Sequence, residues 1–268
     1  MTRTLTARLL QRLWPILLPL SALCGGVAFL FVALIEPMGG LGIFETVLRM
    51  TPRIGQLLGS NEIDPTTSAG IASIAYVHPF VAILMAAWPL SVAAAALGGD
   101  VESGEADLLL SRAVPRRAMF QAAVATLLAG ALAMCASLWL GTALAQWISP
   151  PEDPMPLGRF AAAAVVNAVL IASTGGVLLL LSAGSSERGR ILATGAGLWL
   201  LNFFAGVVAP LFPSLAFLRL YSLQGHARPQ AVIASGQIPW PDTGILLTVG
   251  VAGLSAAALV WSRRDVRS

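Results

Sequence analysis

The chain of 268 residues contains no lysine; all 16 of its basic residues are arginine. That absence excludes one chemistry outright. The phosphate-cradling loop GxxxxGK[ST] needs a lysine ammonium on the β- and γ-phosphates, so this chain does not bind ATP through such a loop. Charge is scarce altogether. Charged side chains make up 11% of the residues, hydrophobic ones 57%, and the mean hydropathy is +0.80, where a soluble domain carries about 25% charged residues. Cysteine is limited to Cys24 and Cys135, both inside apolar stretches, which excludes a disulfide framework. His78 and His226 form no pair with metal-ligand spacing, so neither a metal nor another cofactor is indicated. No GxSxG nucleophile motif occurs, and no carboxylate lies within the apolar stretches, which removes the usual group of an intramembrane proton relay.

The charges that are present divide the chain. Charge-free intervals run over 13–35, 65–99, 118–151, 160–186, 191–218 and 243–262. Each is long enough for one bilayer-spanning helix of about 20 residues, and none comfortably holds two. The composition therefore predicts an all-α polytopic membrane protein with six spans, at about 14–35, 71–97, 122–147, 160–181, 191–211 and 244–261, in a single transmembrane domain. Arginine density sets the orientation. With the N-terminus in the cytoplasm, the inner segments 1–12, 100–117, 187–190 and 263–268 hold 11 arginines in 40 residues. The outer segments 36–64, 152–159 and 219–242 hold 5 in 61. Both termini are expected inside. The pI near 9.5 follows from this asymmetry and calls for no nucleic acid. Arginine-only basicity beside abundant Ala, Gly and Pro points to a GC-rich bacterial genome and hence to the inner membrane.

Local patterns refine the picture. Leu5, Leu9 and Leu13 recur at i+4 beside Arg8 and Arg12, as in a short interfacial helix leading into the first span. The run continues past LSALCGG through Val27–Ile35, too long for a signal-peptide core, so it reads as a retained helix. Surface-lying helical pieces are expected in 36–70, with Glu45 and Arg49 paired at i,i+4 and Pro52 as a breaker. Pro79 and Pro89 should kink span 2. Among the polar side chains in the spans, His78, Asn167 and Asn202 stand out. Asn167 and Asn202 are either helix–helix glue or the lining of a substrate path, and His78 either bonds a carbonyl or reaches the outer interface, or joins that path.

The most informative segment is GGDVESGEADLLLSRAVPRR, residues 98–117. Ser103 is placed to cap a helix, with Glu105 and Asp107 in its first turn, where the dipole favours them. Val114 precedes Pro115, so the helix should end near Ser111. Such a helix is too short to persist alone in water and must dock. On a helical wheel Ala106, Leu109 and Leu110 share one arc, while Leu108 stands alone on a polar face.

The stretch carried by Glu102, Gly104, Asp107, Leu108, Leu109, Leu110, Ser111, Val114 and Arg116 resembles the pattern E-x-G-x-x-E-L-L-L-S-x-x-V-x-R of the cytosolic loop of the type 2 ABC exporter permease family, with Asp107 at the second Glu. PRIGQLLG before it, a proline-containing second span, RLYSLQGHARPQAVIASG before the last span and WSRRDV after it resemble the family's order. The resemblance implies a permease paired with a second permease subunit, identical or related, and with two copies of a cytosolic ABC ATPase. Glu102, Gly104, Glu105, Asp107, Leu108, Leu109, Leu110, Ser111 and Arg116 would then belong to the coupling helix and its flanks. The permease itself would not be an enzyme. A polytopic scaffold without transport activity is the alternative reading.

Overall fold

The computed structural model describes residues 1–35, 62–64, 67–112, 114–151 and 153–264. Those residues are helical or irregular, with no strand. Six of the helical stretches are long and apolar enough to cross a membrane, so the protein is multi-pass. The expected surface pieces over 36–61, the Glu45–Arg49 pair, Pro52 and the last four residues lie outside the described chain.

Helix α1, Thr2–Ala33, is one continuous rod of 32 residues, about 48 Å at 1.5 Å per residue. This corrects the expectation of a separate interfacial helix before span 1. The reason is packing: Leu5, Leu9 and Leu10 lie against the core cluster of the bundle, so the leucine stripe rests on protein and the helix need not bend onto the membrane surface. The second span departs in the opposite sense. Instead of a kinked helix over 71–97, the chain forms α2, Ser68–Ile74, then a break, then α3, Pro79–Ala95. The break follows from Pro79. The residue before a proline avoids α geometry, and His78 is indeed extended at ψ 132°. Proline is favoured at the first helical position, where its missing N–H costs nothing. The His78 ring Nδ1 then accepts the Phe80 N–H at 3.2 Å, capping the restart.

Beyond α3, Leu97 adopts φ +44° and ψ −87°, the sole non-glycine positive φ among the described residues. The chain then makes α4, Gly98–Glu102, and α5, Glu105–Ser111. Long helices follow: α6, Arg116–Ile148; α7, Leu157–Gly184; α8, Arg188–Phe203, extended by a π turn, Phe204–Val208, and a 3₁₀ turn, Ala209–Leu211. A 3₁₀ stretch Ala216–Tyr221 and two short helices, α9 (Leu223–His226) and α10 (Pro229–Ser235), lead to α11, Trp240–Arg263.

Lipid offers no hydrophobic force between helices, so association relies on close van der Waals contact and small residues. The sequence supplies them in register. Ser21 and Gly25 of α1 meet Ser137 and Gly141 of α6: the Ser137 hydroxyl donates to the Ser21 carbonyl at 2.6 Å, and a Cβ on Gly141 would stand 2.0 Å from the Gly25 carbonyl oxygen. Ser173 and Gly176 of α7 meet Gly250 and Gly253 of α11 in the same way, with Ser173 donating to the Leu246 carbonyl at 2.7 Å. The fully buried Trp88 of α3 lies over Gly130 of α6 and donates its indole N–H to the Leu127 carbonyl at 3.0 Å.

Candidate functional site at the arginine-rich end

The N-terminal ends of α1, α6 and α8 and the C-terminal end of α11 carry most of the arginines; they meet the C-terminal ends of α3 and α7 at one end of the bundle, where α4 and α5 lie. Ser103 does not cap α5. It closes α4, donating to the Asp100 carbonyl at 3.4 Å, which corrects the expected start of the loop helix. The residue before α5 is Gly104 at φ +72°, a left-handed turn that a residue with a Cβ adopts only at a cost. The helix ends at Ser111 as Pro115 demands, and the Ser111 hydroxyl returns to the Leu108 carbonyl at 3.0 Å.

The wheel of α5 is realised in the fold. Ala106 is fully buried, and Leu109 and Leu110 pack half-buried on the core cluster. Leu108 points away and is 64% exposed. Asp107 is half-buried in the first turn. Asp100, Glu102, Glu105 and Arg116 are occupied within the chain. Glu105 pairs with Arg8 at 2.8 Å and with Arg12 at 3.3 Å, and Arg12 also reaches Asp100 at 3.4 Å. Each partly exposed pair is worth about 1 kcal/mol at most, but together they fasten α1 to both α4 and α5. The Glu102 carboxylate accepts the Arg188 N–H, satisfying one orphan donor at the start of α8 where negative charge is favoured.

Arg116 also turns inward. Its guanidinium donates to the carbonyls of Arg264 and, at 3.3 Å, Trp261, while the Trp261 indole donates to the Arg116 carbonyl at 3.1 Å. Arg264 in turn donates to the carbonyls of Ala183 and Ser185, at 2.9 and 2.8 Å, and to the Ser186 hydroxyl. Burial lowers Arg264 from its ordinary value. Two arginines thus cover the last carbonyls of α7 and α11, the groups a helix C-terminus leaves without partners. At the junction above α4, Ser182 of α7 donates to the carbonyls of Ala93 (2.6 Å) and Ala96 (3.1 Å) and accepts the Gly98 N–H at 3.2 Å. It bridges the strained Leu97 corner. A Cβ on Gly98 would stand 2.5 Å from the Ser185 carbonyl.

Of the nine loop residues singled out from sequence, Leu108 is therefore the one that presents an exposed apolar side chain. Arg8, Arg12, Asp100, Ser182 and Arg264 complete the site and were not selected from sequence. The i,i+4 spacing of Arg8 and Arg12, which places both on one face of α1, was the available signal for the first two.

The three candidate path residues separate. Asn167 is 2% exposed and donates to the Tyr76 carbonyl at 3.1 Å, satisfying an acceptor at the break between α2 and α3. It also lines a cavity of about 90 Å³ with Thr174, Trp199, Phe203 and Gln224. His78 caps α3 with its ring 5.5 Å from that of Phe31. The Asn202 carboxamide oxygen accepts from the Ser222 hydroxyl at 3.1 Å and the Gln224 N–H at 3.2 Å. It ties the 3₁₀ segment to the end of α8. Among the described residues no cluster of His, Cys, Asp and Glu could hold a metal ion. Neither a protein-family model nor a curated protein sequence matches the chain.

Proposed function

We propose that the chain is the membrane subunit of an ATP-driven exporter of the ABC type, in a bacterial inner membrane. Its arginine-rich end and both termini face the cytoplasm, and it works as a dimer with two copies of a separate ATPase. The observation that carries this reading is α5. It is a seven-residue helix seated by Ala106, Leu109 and Leu110, with one apolar side chain, Leu108, directed away from the bundle. A short helix presenting an apolar tip fits a groove on a partner. Its anchorage supports the transmission of force. Salt bridges join α5 to α1, and the Ser182 bridge joins α4 to both α3 and α7, so a push on Leu108 reaches three spans. The missing phosphate loop fits an energy source carried by another chain.

Orientation is checked by reporter fusions. Fusions after Ser60, Pro154 and Gln230 are expected to report the periplasm, and those after Gly104, Ser186 and Arg267 the cytoplasm. A cytoplasmic signal at Gln230 would remove the six-span topology. The function is checked by looking for a phosphate-loop ATPase among the neighbouring genes and purifying it together with this chain. The isolated chain is expected to hydrolyse no ATP, and the ATPase to be carried down by it in detergent. Hydrolysis by the homogeneous chain alone would overturn the assignment.

A further inference from the structure

Between α6 and α11, on a face of α7 that neither covers, runs an open groove of about 550 Å³. Ala131 and Cys135 of α6 and Ala164 of α7 are buried on its floor, and Leu132, Val165 and Val251 are exposed along its rim. The groove exists because α6 and α11 both pack on α7 but meet each other at the end near α5. There the Trp261 indole donates to the Arg116 carbonyl at 3.1 Å, and the Arg116 guanidinium to the Trp261 carbonyl at 3.3 Å. Farther along, the two helices stand on either side of α7. At the far end Trp139 of α6 reaches the first residue of α7, its indole N–H donating to the Leu157 carbonyl at 3.1 Å, and this bounds the groove there.

Every residue lining the groove falls within the charge-free intervals 118–151, 160–186 and 243–262, so it opens onto hydrocarbon. Water does not fill it. A buried water needs about two to four polar partners, and the polar groups here are already engaged. The Ser173 hydroxyl lies 2.7 Å from the carbonyls of both Val169 and Leu246, and the Trp139 indole is committed to Leu157. Left empty, the floor would forfeit the dispersion contacts that close packing supplies. Hydrocarbon therefore occupies the groove.

Length decides which hydrocarbon. On α7 the groove runs from Ala161 to Ser173, about 18 Å at 1.5 Å per residue. A spanning helix of a second copy would need a seat along most of the roughly 30 Å hydrocarbon core, and the Arg116–Trp261 junction closes that course. The acyl chains of one leaflet cross half of the core, about 15 Å, which the groove matches. Its volume also lies within the roughly 300–1,000 Å³ of ligand sites. We infer that the groove holds one acyl chain of a phospholipid from the leaflet opposite α5, lying along α7 between α6 and α11. The site shares no lining residue with the cavity beside Asn167. It follows from the multi-pass fold and holds whether or not an ATPase is the partner.

The test uses the full chain in nanodiscs of phosphatidylcholine doped with a phosphatidylcholine that carries a diazirine in one acyl chain, either at mid-chain or near the chain end. Irradiation links the labelled carbon to the side chain it touches, and peptide mass spectrometry reads the position. The mid-chain probe is expected on Cys135 and Ala164 and the chain-end probe on Ala131, buried floor residues that only a chain inside the groove reaches. Leu259, 58% exposed on α11, serves as the reference for ordinary surrounding lipid. Ala168→Phe puts a ring into the middle of the groove, and Ala161→Phe puts one at its Trp139 end. Each is expected to lose the floor label, to keep the label on Leu259 and to melt with the wild type. In a Cys24→Ala, Cys135→Ala background, Leu132→Cys on the rim is expected to stay unlinked on oxidation. Four results would each overturn the proposal: a wild-type floor without label, the two probes in reverse order along the groove, floor label kept in a well-folded phenylalanine variant, or a disulfide-linked dimer of Leu132→Cys, which would put a second copy there.

Discussion

On the proposed reading of α5 as the docking helix, Leu108→Asp is expected to abolish coupling to an ATPase while leaving the membrane protein intact. The side chain is 64% exposed and lies outside the core cluster that seats α5, so a carboxylate there costs the free chain little. In a complex it would be buried in the partner's groove without a counter-charge, and uncompensated buried charge costs about 3–5 kcal/mol. At about 1.4 kcal/mol per tenfold change, affinity falls by at least two orders of magnitude. The measurement is co-purification of the ATPase and its stimulation by the reconstituted variant, with membrane yield and melting temperature as controls. Leu109→Asp serves as the contrast: it places the charge against the core cluster and is expected to lower yield and stability as well. Wild-type stimulation by a well-folded Leu108→Asp variant would show that Leu108 is not the coupling contact.

Why Leu108 could be singled out from sequence is instructive. On a short helix, 100° per residue separates Leu108 from Leu109 and Leu110 regardless of where the helix packs, and Pro115 fixes its end. The six spans were legible for a similar reason: charge is so costly in hydrocarbon that its absence marks them directly. The start of α5 was less legible because Ser103 serves α4 instead, a choice made by the Leu97 corner and the Ser182 bridge, contacts some 80 residues apart in sequence. The roles of Glu102 and Arg116 were hidden in the same way. Both looked like surface charges for a partner, and both satisfy helix ends brought to them by the fold. The break at His78 was written locally in the His-Pro pair, but proline inside an apolar interval is equally compatible with a kink. Asn167 reaching the Tyr76 carbonyl decides for a break by giving one freed acceptor a partner.

Gly141→Leu is expected to abolish stable folding, and Gly26→Leu to leave it unchanged, although both put the same side chain on a glycine of the α1–α6 pair. At Gly141 the first added carbon would lie 2.0 Å from the Gly25 carbonyl oxygen and 2.9 Å from the Gly25 Cα. Those are backbone atoms of a continuous helix, so no rotamer change relieves the overlap and α1 must move away. The shift breaks the Ser137–Ser21 hydrogen bond and parts the close helix contact on which association in lipid depends. Overpacking alone typically costs about 1–3 kcal/mol where side chains can yield; here the obstacle is main chain, and the loss exceeds that range. Gly26 faces the other way, with nothing within 4 Å of an added carbon, and replacing a mid-helix glycine favours the helix by about 0.5–1 kcal/mol. The chain carries its own reporter for the difference. Cys24 and Cys135 are free thiols buried on α1 and α6, so a thiol-reactive dye brightens when these helices part. The Gly26→Leu variant is expected to melt with the wild type or slightly above it, and Gly141→Leu to react at the outset. A cooperative, wild-type-like transition for Gly141→Leu would mean that α1 does not pack on α6 through these glycines.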